Sequence, residues 1–318
     1  TDRAETGATS SPPRDQTPPL DVSTALAPAA PRTRVSGDPA APGQLAGRAA
    51  RPFLEIGHRV GRLRRRARGV LAQTPSYASA SPRVSVLSVL AADREREGVE
   101  LLDAVASTRG EAFEVLVLAD RASGEAGSLV IGFLADHPGV PARMLDHEPS
   151  TLGGARNQLA QRSRGELLLV LPVEGGIFPS TIRRLAHALD SDPAAAFSYP
   201  MTAVVDAGAS VELRGSMPWE PARLTRQSWI DLPAMVRRER LLELGGYATD
   251  RRLEGLEDFD LWCRLADSGD HGAHVPQVLG WHPSRATGRP REVAALAPAS
   301  SELIHARSPR LFAGQAAA

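Results

Sequence analysis

The chain has 318 residues, 37 basic against 37 acidic, with 42% hydrophobic and 4% aromatic residues. Balanced charge leaves no global field to attract nucleic acid, and a single cysteine, Cys263, excludes a disulfide framework or a multi-cysteine metal site. No run approaches the ~20 apolar residues of a spanning helix, and the opening Thr1 with charge close behind is no signal peptide, so the sequence reads as a cytoplasmic piece of a longer protein.

Residues 1–50 are Pro, Ala, Thr, Ser and Gly with scattered charge. Ser11-Pro12-Pro13 and Pro18-Pro19 block helix, and the few large apolar residues cannot offset the entropy of ordering, so a disordered segment is expected. Residues 51–82 differ. Phe53, Ile56, Val60, Leu63 and Val70 fall near helical spacing around Arg62, Arg64, Arg65, Arg66 and Arg68. A basic amphipathic helix of this kind suits peripheral contact with an anionic membrane face. The other reading is a solvated linker helix leading into the domain, and the narrow apolar stripe, few residues on one face, favours it.

Between 83 and 285 the pattern turns regular. Val84–Leu90 is an apolar run broken only by serine, as in a buried strand. Val99, Leu102 and Val105 place a helix over Glu95–Ser107. Phe113–Leu118 reads as a second strand, Glu125–Ala135 as a helix, and Leu152–Arg162 as another with Leu152, Ala155 and Leu159 on one face. Glu166–Leu171 is a third strand, and Pro179–Leu189 a helix with proline in its first turn. This alternation implies an α/β architecture, a mostly parallel sheet flanked by helices. Residues 286–318 read as a mostly disordered tail, with at most a helical fragment at Glu302–Arg307.

Ligands of such sheets bind beyond the carboxyl ends of the strands. Ala91-Ala92-Asp93-Arg94 after the first strand lacks the glycines of a dinucleotide turn, and neither a P-loop nor Gly-x-Ser-x-Gly occurs. His271 and His274 alone complete no zinc set. Asp120, after the second strand, suits a nucleobase N–H or a ribose hydroxyl, and suits a turn or helix cap as well. In Gly153-Gly154-Ala155-Arg156-Asn157 the glycines admit close backbone approach. Arg156 there either pairs with a phosphate or base or decorates the helix. Glu257, Asp258 and Asp260 open a predicted helix whose positive end favours them by ~0.3–1 kcal/mol.

Taken in order, Pro82-Arg83-Val84-Ser85-Val86, Glu114–Asp120, Gly153…Arg156-Asn157, Pro172-Val173-Glu174, Gly245-Gly246-Tyr247, Glu257-Asp258-Phe259-Asp260-Leu261-Trp262-Cys263-Arg264-Leu265 and His282-Pro283-Ser284 resemble the family 2 glycosyltransferases of the GT-A fold. The resemblance spans about Arg83 to Arg285. It implies a GT-A domain over 83–285 and transfer of a sugar from a nucleotide-diphosphate donor to a hydroxyl acceptor, in cell-surface glycan or polysaccharide assembly. By the same resemblance Asp258 is the general base and Glu257 supports the acceptor. Asp120, Arg156, Asn157 and Glu174 hold the donor, and Glu174 with His282 holds a divalent Mg or Mn cation. Two positions depart from the family pattern: Pro172 stands at the first aspartate of the Asp-x-Asp element, and Ala119 at the first acid after the second strand. These departures make the alternative expectation a catalytically impaired GT-A module serving as a scaffold or binding domain. A sugar-1-phosphate nucleotidyltransferase would need a glycine-rich loop after the first strand, and Leu90–Gly98 has none.

Overall fold

In a computed structural model, residues 70–90, 95–120, 124–147, 151–172, 174–206, 209–284 and 292–313 are described. The expected disordered segment 1–50 and the arginine cluster at Arg62–Arg68 lie outside them.

The parallel half of the sheet follows the apolar runs. Strands β2 (Val84–Leu90), β3 (Phe113–Asp120), β4 (Ala142–His147) and β5 (Leu167–Val170) are joined through helices α1 (Glu95–Ala106), α2 (Gly124–Asp136) and α3 (Leu152–Arg162). β2 lies between β3 and β5, parallel to both, so the strand order reverses between β2 and β5. That reversal opens a crevice at the carboxyl ends of the two strands. After β5 come β6 (Gly176–Ile177), α4 (Thr181–Ser191), β7 (Phe197–Asp206), β8 (Ala209–Arg214), β9 (Ala234–Arg237), α5 (Arg238–Glu243), α6 (Glu257–Asp267) and β10 (Gly272–Pro283). β9 runs antiparallel between β5 and β7, and β7 pairs parallel with β10.

Alternate residues of each central strand face opposite layers, as the period of two requires. Leu87, Leu116, Leu118, Leu168 and Val170 join the layer that holds α3 and α6. Val86, Val115, Val117, Leu167 and Leu169 join the layer of α1, α2 and α4. Both faces are covered, which is why these strands carry so little polarity.

The structure differs from the expected boundaries at both ends. Val70–Gln73 is a strand, β1, paired antiparallel with β4, and not the end of a basic helix. Arg143 on β4 donates two hydrogen bonds to Gln73 Oε1, at 3.0 and 2.8 Å, and Tyr77 lies against the guanidinium groups of Arg143 and Arg164. At the other end, α7 (Pro298–Arg307) contains the expected helical fragment Glu302–Arg307 and extends it, and with α8 (Pro309–Phe312) it stands where the rest of the tail was expected disordered. Their few apolar side chains give no long periodic stripe, yet Ile304 and Phe312 are buried in the α3–α6 layer.

Candidate active site

The entry to α3 is built for close contact. Thr151 caps it by accepting a hydrogen bond from the Gly154 amide at 3.2 Å. A Cβ at Gly153 would stand 1.9 Å from the Ala248 carbonyl oxygen and 3.4 Å from Glu257 Cγ, so only glycine lets the two segments meet. One turn on, Asn157 donates to the Tyr247 carbonyl at 2.9 Å and accepts from the Tyr247 amide at 2.7 Å. Gly246 has φ +78°, and a Cβ there would fall 2.4 Å from Asn157 Oδ1. Both motif glycines are thus fixed by geometry.

Opposite this helix lies the start of α6, whose three first-turn acids have different surroundings. Asp260 is fully buried and accepts from Arg264 Nε at 2.8 Å and Arg307 Nε at 2.7 Å. Arg264 in turn donates to the carbonyls of Leu244 and Gly246, at 2.9 and 2.7 Å, fastening the Gly-Gly-Tyr turn to α6. Asp258 points the other way and accepts from Arg156 Nη1 at 2.8 Å. The Asp258 side chain is 28% exposed, whereas that of Arg156 is 4% exposed. Burial disfavours the Arg156 charge, but Asp258, Tyr247 and Glu257 around it raise its pKa above the usual arginine value. Glu257 is 2% exposed, and its Oε1 has no hydrogen-bond partner. Burial pushes the Glu257 carboxyl above its ordinary value, against the opposing pull of the Gly255 and Glu257 amides and of Arg156.

The expected donor side lies where the strand order reverses. Asp120 closes β3 in register with His147 of β4. Glu174 lies beyond β5 and lines a cleft of about 220 Å³ with Glu97, Glu100 and Trp281. Gly175, at φ +116°, is pressed against the end of β10: a Cβ there would be 2.1 Å from the Trp281 carbonyl oxygen and 3.1 Å from His282 Cβ. Glu174 and His282 are therefore close in the fold. The His282 ring, however, turns to Asp231, with Nε2 3.0 Å from Asp231 Oδ2, while Nδ1 lies 3.3 Å from the Pro283 carbonyl oxygen. Arg214 reaches the same carboxylate with Nε at 3.2 Å. Burial raises the Asp231 pKa, but the His282 hydrogen bond and the Arg214 charge outweigh it and hold it below the usual aspartate value.

Six of the seven residues expected at the site, all but Asp120, thus form two groups. Arg156, Glu257 and Asp258 meet, with Asn157 bonded to the turn that carries Tyr247. Glu174 and His282 meet through the backbone of Gly175. Among the described residues, no three His, Cys, Asp or Glu side chains are placed to hold a metal ion. The ring contacts of His282 and the proline at 172 leave Glu174 as the one carboxylate of the expected cation pair, so the donor set does not fit a cation site built by the protein. Sequence reasoning missed Arg214, Asp231 and Arg307. Nothing local marks them, since each is tied to a partner 17 to 51 residues away.

No family model matches the sequence, and no curated protein matches it. Solved structures do. The S. aureus TarS fragment 1–349 in complex with UDP-GlcNAc is 14% identical, with a TM-score of 0.54, over 73% of this chain and 73% of that one. The same fragment with UDP gives a TM-score of 0.53 at 14% identity, covering 73% of this chain and 72% of that one. GalNAc-T7 with UDP, GalNAc and Mn2+ gives 0.52 at 16% identity, over 71% of this chain and 48% of that one. These neighbours are glycosyltransferases of the GT-A type. Identity at this level shows the fold alone, and that fold is GT-A.

Proposed function

We propose that this GT-A chain transfers a glycosyl group from a nucleoside-diphosphate sugar to an acceptor hydroxyl. One observation carries the reading: at the carboxyl end of the sheet a partly exposed carboxylate, Asp258, is held by the buried guanidinium of Arg156. A hydroxyl is a poor nucleophile, and a carboxylate within hydrogen-bond reach takes its proton as attack proceeds. In this reading Asp258 receives that proton while the acceptor oxygen bonds to the anomeric carbon. The bond from that carbon to the donor diphosphate breaks, and the diphosphate leaves with the electron pair. Glu257, pushed toward its protonated form, borders the acceptor side. Asp120 and Glu174 border the donor at the crevice beside β2 and β5. That TarS and GalNAc-T7 bind UDP supports a nucleotide donor.

A divalent cation would offset the charge that gathers on a departing diphosphate. GalNAc-T7 is bound to Mn2+. In this chain the donor set described above does not fit such an ion, and no step of the proposed reaction runs through it. For the acceptor we propose a glycan or other hydroxyl compound of cell-surface polysaccharide assembly, reached from the cytoplasmic side. The support is the arginine cluster at Arg62–Arg68, suited to an anionic membrane face. No helix among the described residues is long and apolar enough to cross a membrane. A second reading, a non-catalytic GT-A module that scaffolds a larger assembly, is favoured by Pro172 and by the engaged His282 ring.

Release of nucleoside diphosphate from a panel of nucleotide sugars decides between the two readings. The transferase reading expects turnover with one donor, and a loss of about 10²–10⁴-fold in Asp258→Asn, the usual contribution of general-base catalysis. Donor binding without turnover by the unsubstituted chain would instead leave the scaffold reading.

A further inference from the structure

The resemblance places Arg156 and Asn157 on the donor, yet their hydrogen bonds run inside the protein, to Asp258 and to the Tyr247 backbone. Arg156 is nearly sealed from solvent, at 4% side-chain exposure. One Nη donates to Asp258, and the guanidinium carbon lies 5.1 Å from the Tyr247 ring centroid. A donor phosphate would need an opening to this buried cation, one edge of which already meets Asp258. The Asn157 amide uses both its ends on the Tyr247 backbone. Gly153 has no side chain to offer, and its missing Cβ is what lets Ala248 and Glu257 approach.

We infer that Arg156 is a positioning residue for Asp258, and that Gly153, Arg156 and Asn157 together form a seat for the 246–258 loop on the acceptor side, not a donor contact. The inference rests on the transferase reading for what Asp258 does, and deepens it by assigning this motif to the acceptor half of the reaction. Arg156 acts in two ways. Its hydrogen bond fixes the rotamer of the carboxylate, and its guanidinium, between Asp258 and the Tyr247 ring, ties that carboxylate to the loop, which Asn157 holds against drift. Misplacement of a reacting group by about 1 Å costs on the order of 10²-fold in rate.

The test uses the full chain and its Arg156→Gln, Arg156→Lys, Asp258→Asn and Arg156→Gln/Asp258→Asn variants. Each is titrated with UDP and with GDP by calorimetry, and each is assayed for release of nucleoside diphosphate from the nucleotide sugar that the unsubstituted chain turns over. We expect Arg156→Gln to keep nucleotide affinity within about twofold while turnover falls about 10²-fold. Arg156→Lys, which keeps the charge but not the planar fork, should recover part of that loss. In the Asp258→Asn background, Arg156→Gln should remove less than a further twofold, because residues that act as a unit are not additive. Retained nucleotide affinity also shows that the variants fold. A tenfold or greater loss of nucleotide affinity in Arg156→Gln, or multiplying effects in the double variant, would overturn the inference and return Arg156 to the donor. Absence of nucleotide binding by the unsubstituted chain is a separate result: it overturns the transferase reading, and this inference with it.

Discussion

Asp258 and Asp260 are two residues apart on the same helix turn, and their surroundings give them opposite tasks. Asp260 is enclosed between Arg264 and Arg307 and holds structure. Asp258 keeps 28% of its side chain exposed and faces outward from its one arginine. Removing one partner of a buried ion pair leaves the other charge uncompensated, at ~3–5 kcal/mol. Urea unfolding of Asp260→Asn should therefore show a loss of about that size, and Asp258→Asn, which leaves the buried Arg156 beside a neutral amide, a smaller one, because the Asp258 side of that pair is 28% exposed. Pro172 supports a prediction of a different kind. Affinity of a hard-cation site rises with its count of charged ligands, so Pro172→Asp, two residues before Glu174, should tighten Mn2+ binding by roughly tenfold or more. Titration of Mn2+ followed by electron paramagnetic resonance reads this directly, and equal affinity in the two proteins would mean that the strand end does not face the ion.

Arg264 shows why a helix motif can be legible in sequence while its purpose is not. Its spacing from Asp260 is the i, i+4 pair of any surface helix, but its other donors close on Leu244 and Gly246, some twenty residues earlier. The Gly-Gly-Tyr turn and α6 are therefore one unit, which accounts for their occurring together in the sequence. Arg156 is the converse case. Its place on α3 was legible, but its partner lies 102 residues away, and only the packing of α3 against α6 shows which one it takes. α7 and α8 were legible only as a fragment at Glu302–Arg307, because four large apolar residues in the fifteen of 298–312 give no period; they order by docking on α6, where Arg307 meets Asp260. A chain ending at residue 297 should accordingly lose stability by at least as much as Arg307→Ala, with hydrogen exchange rising along α6.

At the scale of the whole molecule, the parallel half of the sheet could be read from sequence because strands buried on both faces are continuous apolar runs. The antiparallel half could not. β7 contains Pro200, β9 is four residues long and follows Pro233, and β6 is only two residues, so length and proline hide them. The same half carries Arg214, Asp231 and His282, which tie β8, the approach to β9 and β10 together. Asp231 has a folded pKa below the ordinary 3.8, so its contribution to stability is present above that value and is lost as pH falls through the lower folded one. The stability gap between the chain and Asp231→Asn should be widest above pH 3.8 and close in stronger acid. A gap that stayed constant from neutral pH to pH 2 would assign the network no ionic role.

In the proposed reaction a nucleoside diphosphate sits at the carboxyl ends of β2, β3 and β5, with Asp258 facing it across the crevice. Hydrogen–deuterium exchange of the full chain with and without UDP or GDP tests this most directly. Bound nucleotide should slow exchange at the end of β3 near Asp120 and at residues 171–177, with little change on the α2 side of the sheet away from the crevice. Protection confined to other parts of the chain, or none with either nucleotide at saturating concentration, would contradict it.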